Sequence, residues 1–488
     1  MSATSPRRSG AVPGRVGPDL LRAPIVGRFL RWRHARPAAQ VVTGLLAALV
    51  VYDGLFGPQL APKNVAGVLP WVQWRGLVVF SLLLVGNVFC FACPFVAPRR
   101  VAKRLGRGRL PWPRRLSSKW LAVAILVLFF WAYEAFDFWA SPALTAWLVL
   151  AYFAAAFLFE AVFRGSAFCK HVCPIGQFHF VNSAASCFEV AARDVGECAS
   201  CATKDCIRGR GAARRRQDGC QLWLFQPRKI GNADCTFCLD CAHACPHNNV
   251  GVLARAPAAE LADDRPRSSL GTPSRRLDLA ALYVIVTFAA FVNAFGMVAP
   301  VYSVERWLAS ASGLRSEPLV LALLFLGGLV ALPGCLVLGA AAESRRLSAT
   351  RRPLARVAAR HAYGLLPIGF GMWLAHYGYH FLTGALTIVP VAQSLLTALG
   401  VPIFGQPRWG MGQVVPTAWL VPIELVLLQV GALVSLVTSF RIAEFDALDE
   451  TSAMGAFLPW AVLIVLLSLV GVWLLLQPME MRGTFVAG

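Results

Sequence analysis

Eight cysteines between residues 198 and 245 have the spacing of thiolates that bind metal. The second four follow the pattern C-x2-C-x2-C-x3-C-P without deviation, in the segment CTFCLDCAHACP. This run is typical of bacterial ferredoxins with two [4Fe-4S] clusters, in which the fourth cysteine binds the other cluster. The proline ends the local turn and directs the chain away from the cluster. The eight candidate ligands are Cys198, Cys201, Cys206, Cys220, Cys235, Cys238, Cys241 and Cys245.

The first four cysteines are less regular than the second four. They begin with C-x2-C-x4-C, and Cys220 follows only after an arginine-rich insertion. Because each [4Fe-4S] cluster needs four ligands, we predict a crossed assignment. The first cluster takes Cys198, Cys201, Cys206 and Cys245, and the second takes Cys220, Cys235, Cys238 and Cys241. The uncrossed assignment, in which Cys220 and Cys245 exchange places, stays open.

Two other uses of these cysteines were weighed. Disulfides are disfavoured because the segment lies among arginines on the side that we assign to the cytoplasm, where thiols stay reduced. Zinc is the closer alternative, since two C-x2-C pairs suffice for a closed tetrahedral site. The tighter run that ends in Cys-Pro favours the iron–sulfur cube.

The composition is that of a membrane protein. Of the 488 residues, 57% are apolar and only 15% are charged, a balance that soluble domains rarely have. In a membrane protein a net charge of +21 is first explained by lysine and arginine in the cytoplasmic loops. We expect no nucleic-acid partner, since the sequence contains no basic module with interleaved aromatic residues. Arg7 and Arg8 precede no apolar core, so we expect no signal peptide. Fourteen cysteines in such a chain favour metal binding over a disulfide scaffold.

Membrane helices must position these ligands. About 20 consecutive apolar residues span a bilayer as a helix, and nine segments qualify, although Asp53 and His376 interrupt the first and the seventh. We therefore predict a mainly α fold: a polytopic helical membrane protein of about nine spans with a cytoplasmic, ferredoxin-like two-cluster insertion. The nine segments are approximately 38–57, 70–92, 120–139, 143–163, 278–300, 318–340, 363–386, 416–440 and 456–477.

The basic residues of the loops predict the orientation. Arginine and lysine concentrate in the N-terminal arm, in residues 99–119 and in residues 345–360. The positive-inside rule then places the N-terminus and the insertion in the cytoplasm, and the C-terminus on the other side of the inner membrane. The predicted organisation is a basic arm (1–37), a four-helix membrane domain (38–163), a cytoplasmic [4Fe-4S] domain with its linker (164–277) and a five-helix membrane domain (278–488).

Two further cysteine pairs follow the second and fourth spans. Cys90 and Cys93 end in Cys-Pro, and so do Cys169 and Cys173. The repeat looks like a duplicated two-helix unit, and two hairpins side by side would bring four thiolates together at the cytoplasmic membrane surface. We predict a third metal site there; a redox-active dithiol is the main alternative. Single cysteines are also common small apolar residues of membrane helices.

With these motifs, residues 38–255 resemble the membrane-bound polyferredoxins typified by NapH, the quinol-oxidising subunit of nitrate reductase, and by NosR, a protein of nitrous-oxide reduction. The resemblance rests on the paired Cys-Pro sites and on the two cysteine groups of the insertion. The family pattern is C-x3-C-P, which Cys169 and Cys173 fit, whereas Cys90 and Cys93 are one residue closer together. The resemblance implies electron transfer at a membrane, and residues 278–488 lie outside it.

The C-terminal spans contain polar groups that suit a quinone. His376 and His380 share one helix face, and Glu424 lies at a comparable depth in the eighth span. The three side chains would meet if the two spans are neighbours. Ionisable residues inside a membrane indicate function by default. The same groups would suit a copper ion, a proton relay or structural hydrogen bonds, and no facing histidine supports a haem. Further candidates for buried carboxylates are Glu134, Asp137 and Glu160; for Glu134 and Asp137, near the outer end of their span, contact with water is the alternative.

The sequence therefore predicts a membrane-bound iron–sulfur electron-transfer protein. Electrons would pass between a cytoplasmic donor or acceptor and the quinone pool or a partner redox complex. An assembly or regulatory factor that uses its clusters for metal reduction or redox sensing is the alternative. Five arginines of the insertion could dock an acidic ferredoxin or flavodoxin, or could simply form a solvated loop. They are Arg208, Arg210, Arg214, Arg215 and Arg216.

Overall fold

The protein is described here from a computed structural model that covers residues 17–106, 110–211 and 217–479, and it is mainly helical. Within these residues, eight helices are long and apolar enough to cross a membrane, and the apolar helix Trp120–Ala135 is shorter. In chain order they are α1 (Ala35–Phe56), α2 (Val65–Leu84), α3 (Trp120–Ala135), α4 (Pro142–Val162), α5 (Leu277–Phe295), α6 (Glu317–Leu347), α7 (Leu354–Ala398), α8 (Thr417–Asp446) and α9 (Glu450–Leu475).

The prediction of a polytopic helical membrane protein is confirmed. Arg7, Arg8 and the predicted C-terminal end at 480–488 lie outside the described residues. Shorter helices connect the spans: Val26–Arg31, Val88–Phe91, Arg99–Gly106, Pro174–Asn182, Val195–Ser200, Asp205–Arg208, Asp240–Ala244 and Pro300–Ser312. Single 3-10 turns lie at Leu20–Arg22, Ala61–Lys63, Pro94–Val96, Arg114–Leu116, Ser183–Ala185, Gln226–Arg228, Ala259–Ala262 and Pro273–Arg275.

The second span ends earlier than the apolar pattern predicts. α2 stops at Leu84, and Gly86 then takes a positive φ of 103°, a conformation that glycine adopts readily. A Cβ at Gly86 would lie 2.4 Å from the ring of Phe237, so the chain turns here against the insertion. The Asn87 side chain accepts the N–H of Cys90 and starts the separate helix Val88–Phe91. This break turns Cys90 away from the direction of α2.

One hydrophobic core joins the N-terminal and C-terminal helices. It includes Val78 of α2, Phe130 of α3 and Trp373 of α7, and the rings of Phe130 and Trp373 stack with centroids 5.8 Å apart. α7 and α8 approach closely because glycines face each other: a Cβ at Gly371 would lie 2.8 Å from the backbone oxygen of Leu427. Small residues allow such close helix packing in membranes.

The insertion is built on a two-stranded antiparallel sheet. Strand β1 (Phe188–Ala192) pairs with β2 (Val250–Ala254), and Val190 lies opposite Val252. The core beside this sheet contains Leu222, Leu224 and several of the cysteines themselves. Because thiols make up part of a small core, metal binding would contribute directly to its stability.

The buried Lys119 joins the insertion to the membrane helices. Its side chain is 4% exposed and its Nζ lies 2.6 Å from Asp234 Oδ1. The same ammonium donates to Gln177 Oε1 at 2.9 Å and to the backbone oxygen of Lys170 at 3.1 Å, while the Lys119 backbone N–H donates to Asp278 Oδ2 at 2.6 Å. One residue thus connects the start of α3 with the insertion and with the start of α5.

We expect the substitution Lys119→Met to destabilise the protein strongly. It leaves the Asp234 carboxylate buried without its partner, a loss that typically costs about 3–5 kcal/mol. The free energy of unfolding in detergent, followed by circular dichroism, measures the effect. The matched control is Arg346→Met, which removes an exposed ion pair with Glu343 and should change stability by less than about 1 kcal/mol. Equal stability of the two variants would contradict the role of Lys119.

Candidate metal centres and a membrane cavity

The four cysteines of the predicted first cluster surround one space. Helix Val195–Ser200 positions Cys198, helix Asp205–Arg208 positions Cys206, and Cys245 follows helix Asp240–Ala244. The walls of a single small cavity contain Cys198, Cys201, Cys206 and Cys245. The thiol of Cys206 also interacts electrostatically with the other three. The crossed assignment therefore corresponds to a real grouping of side chains.

The second predicted set lies deeper in the insertion. The thiol of Cys241 interacts electrostatically with those of Cys220, Cys235 and Cys238, and Cys220, Cys235 and Cys241 are buried. Burial raises the pKa of the Cys220 and Cys241 thiols, so without metal they hold their protons at neutral pH. Ligation by these residues would release protons.

Hydrogen bonds to sulfur accompany both sets. Asn249 donates its backbone N–H to Cys245 Sγ and its side-chain amide to Cys198 Sγ, both at 3.3 Å. Gln226 donates its amide to Cys241 Sγ at 3.3 Å. Such bonds stabilise thiolates and tune the potential of an iron–sulfur cluster. Sequence reasoning missed Asn249 and Gln226, and the only signal was that Asn249 lies four residues after Cys245.

The first set is closer to solvent than the second. Cys201 is only partly buried, and a hydrogen bond from the backbone N–H of Lys204 lowers the pKa of its thiol. Lys204 has a positive φ of 54°, a strained conformation of the kind that concentrates at functional sites. One set thus faces the surface of the insertion, and the other faces the membrane helices.

The spacing of these thiols differs from that of a site for a single ion. Among the described residues, no three His, Cys, Asp or Glu side chains lie close enough together to hold one metal ion. A [4Fe-4S] cube has another requirement, because its four thiolates are distributed around the cube. The residue types suit such a cube, and the assignment of two clusters stays a prediction.

The two Cys-Pro pairs also meet. One cavity is lined by Cys90, Cys93, Cys169 and Cys173, and the Cys90 thiol interacts electrostatically with the other three. Gly176 donates its N–H to Cys173 Sγ at 3.2 Å. The duplicated unit predicted from sequence thus has its four thiols together, and their metal binding stays a prediction.

Direct contacts link the Cys-Pro pairs to the second set. The amide of Asn87, which precedes Cys90, donates to the backbone oxygen of Cys235 at 3.0 Å. Arg99 interacts electrostatically with both Cys169 and Cys238. The three groups of cysteines therefore form a series that leads from the surface of the insertion to the membrane helices.

A cavity of about 280 Å³ opens beside the Cys-Pro pairs. Its walls come mainly from α1 to α4 and are largely apolar, with the aromatic rings of Trp71, Phe130 and Tyr133 among them. The same cavity is lined by Arg75 and by Thr236, which lies between Cys235 and Cys238 in the chain. No motif in the sequence indicated this cavity, because its walls come from segments far apart along the chain.

The predicted quinone residues do not all meet. The rings of His376 and His380 lie with centroids 4.8 Å apart, and both interact electrostatically with Arg75. Glu424 is buried on α8, the neighbour of α7, and interacts electrostatically with Tyr379. Both ring nitrogens of His376 are buried and have no hydrogen-bond partner in the described chain. A quinone at these residues stays a prediction.

The other predicted polar residues have separate environments. Glu160 is buried and forms ion pairs with Arg99 at 3.2 Å and with Lys103 at 3.7 Å, so it anchors the end of α4. Glu134 is buried in α3. Asp137 is exposed, so the expectation of a buried carboxylate is wrong at this position; its positive φ of 45° follows the early end of this helix. The arginines Arg208 and Arg210 are exposed, whereas Arg214, Arg215 and Arg216 lie outside the described residues.

No protein-family model, curated protein or solved structure matches this chain.

Removing an N–H···S bond should lower the potential of one cluster only. Gln226→Leu deletes the donor to Cys241 and keeps a similar volume, and a hydrogen bond worth about 1 kcal/mol corresponds to roughly 40 mV for one electron. The measurement is a redox titration followed by electron paramagnetic resonance. Asn249→Leu is the reciprocal control, since it removes the amide donor to Cys198 and should shift only the cluster that Cys198 binds. A shift of the same cluster in both variants would contradict the assignment of Cys198 and Cys241 to separate clusters.

Proposed function

We propose that the protein is a membrane-bound iron–sulfur electron-transfer protein of the inner membrane. Two [4Fe-4S] clusters in a ferredoxin-like insertion would exchange electrons with a cytoplasmic redox partner and with the quinone pool or a partner redox complex in the membrane. The observation that carries the proposal is the continuous series of three cysteine groups, which ends at an apolar cavity between the membrane helices.

The grouping of the thiols supports the proposal. The first set lines one cavity, the thiols of the second set interact electrostatically with Cys241, and each set has an amide donor at a sulfur. Bound clusters of this type accept and release single electrons. The buried position of the second set limits its contact with water. The hydrogen bond from Asn87 to the backbone oxygen of Cys235 connects this set to the Cys-Pro pairs, since Asn87 lies three residues before Cys90.

The charge distribution supports the proposed orientation. Arg99, Lys103 and Lys119 lie at the membrane edge beside the insertion, as expected of a cytoplasmic face. The exposed Arg208 and Arg210 next to the first set would favour an acidic partner such as a ferredoxin or flavodoxin. Complementary charge of this kind speeds association more than it increases affinity.

Iron analysis tests the proposal directly. The protein purified without oxygen should be brown and hold at least about eight irons per chain, from two four-iron clusters. Cys238→Ala should lose about half of this iron, because it removes one ligand of the second set. The matched control is Cys335→Ala, which changes an exposed cysteine of α6 and should keep all of the iron. Stoichiometric zinc without iron would contradict the proposal.

Reporter fusions test the orientation separately. A reporter that works only in the cytoplasm should be active when it is fused after Arg267 or after Arg352, because these positions lie on the arginine-rich side. It should be inactive when inserted at Gly400, in the loop that follows α7. Activity at Gly400, or none after Arg267, would reverse the assignment.

A further inference from the structure

The cavity beside the Cys-Pro pairs has the character of a ligand site. It lies among membrane helices, has a volume of about 280 Å³ and is lined mainly by apolar side chains, several of them aromatic, together with a few polar groups. Sites for small organic molecules are mainly apolar cavities with a few polar groups that fix orientation. A volume at the lower end of the usual range suits one ring system rather than a long chain.

Three arginines line this cavity: Arg36, Arg75 and Arg99. Arg36 pairs with Asp240 and Arg99 pairs with Glu160, whereas Arg75 is the eleventh residue of the 20-residue helix α2 and so lies near the middle of this candidate span. Its guanidinium carbon lies 4.3 Å from the centroid of Trp71, 5.1 Å from Tyr133 and 5.0 Å from Tyr377. A charge at such a depth indicates a functional site, and the surrounding rings stabilise the cation.

The geometry of a guanidinium explains what this cation can do. Aromatic rings interact with its faces, whereas its five N–H donors point outward in its own plane. A ligand in the cavity could therefore accept a hydrogen bond from Arg75 while its ring packs against the aromatic walls. An uncharged, planar ring with a carbonyl oxygen satisfies both requirements.

The other end of the cavity brings such a ligand close to the cysteines. Thr236, between Cys235 and Cys238, lines the cavity together with the four thiols of the Cys-Pro pairs. His179, which also lines it, has its Nδ1 3.4 Å from Cys90 Sγ. A bound ring would thus lie between the Arg75 cation and the two inner cysteine groups.

We infer that this cavity binds the ring of a lipid-soluble quinone, with Arg75 donating a hydrogen bond to one carbonyl oxygen. The inference rests on the proposed function for the choice of a redox-active ring, and it names the site. His376, His380 and Glu424 are not among the residues that line this cavity, although both histidines interact electrostatically with Arg75. The inference therefore places the ring next to the region predicted from sequence and not within it. The cation would also stabilise the negative charge that a carbonyl oxygen gains on reduction.

The experiment measures binding of a quinone analogue to the full-length protein in detergent. The probe is 2-heptyl-4-hydroxyquinoline N-oxide, whose fluorescence is quenched when it binds. Arg75→Gln should weaken binding about tenfold, as expected for the loss of one charge-assisted hydrogen bond. Ala47→Trp should abolish binding, because Ala47 lines the cavity and the indole would fill it.

Matched variants decide between this cavity and the C-terminal region. Ala48→Trp places the same indole on the exposed, neighbouring position of α1 and should bind as the unmodified protein does. His380→Ala and Glu424→Gln should also bind normally. Normal binding by both Arg75→Gln and Ala47→Trp, or loss of binding in His380→Ala or Glu424→Gln, would overturn the inference.

The outcome is separate from that of the proposed function. Iron content is measured on the same samples, and quenching by the analogue needs no electron transfer. A protein with eight irons that fails to bind the analogue would overturn the quinone site alone. A protein that binds the analogue in the cavity but holds no iron would overturn the proposed function alone.

Discussion

The buried ion pair between Lys119 and Asp234 is the contact on which the arrangement of the cysteine groups depends. Two charges removed from water are costly unless their geometry and further hydrogen bonds compensate, and here Gln177 and the backbone of Lys170 complete the ammonium's partners. Asp234 directly precedes Cys235, so the pair fixes the second cysteine set against α3. Lys119 also donates its backbone N–H to Asp278 at the start of α5. A displacement of the insertion would break all of these bonds together.

The insertion combines its core with its candidate ligands. Cys220, Cys235 and Cys241 pack with leucines in one hydrophobic cluster, so the proposed metal would add stability to a small domain with little apolar surface. The amides of Gln226 and Asn249 then hold the sulfurs in place. Folding and cofactor binding would be one process in this part of the chain, whereas, among the described residues, the core that joins the membrane helices contains no cysteine.

The membrane part positions the third cysteine group and a cavity next to each other. Gly86 and Asn87 end α2 against Phe237, which directs Cys90 toward the pair Cys169 and Cys173. Beyond them, Arg75 lies among three aromatic rings. Rings and cation stabilise each other among the apolar helices. This arrangement makes the N-terminal helices, more than the C-terminal ones, the place where a ligand could meet the cysteines.

The sequence by itself determined the local features of this protein. Hydropathy predicted the membrane helices because a span needs only a continuous apolar run, and cysteine spacing predicted two four-thiol sets because three ligands of each lie close together along the chain. Only the tertiary structure decided the rest. Lys119, Arg75, Gln226 and the cavity carry no motif, since each depends on partners from distant segments. Glu424 is a similar case. Its depth in α8 was predicted from helix geometry, but its proximity to Tyr379 depends on how the two packed helices are rotated about their axes, and hydropathy does not specify that rotation.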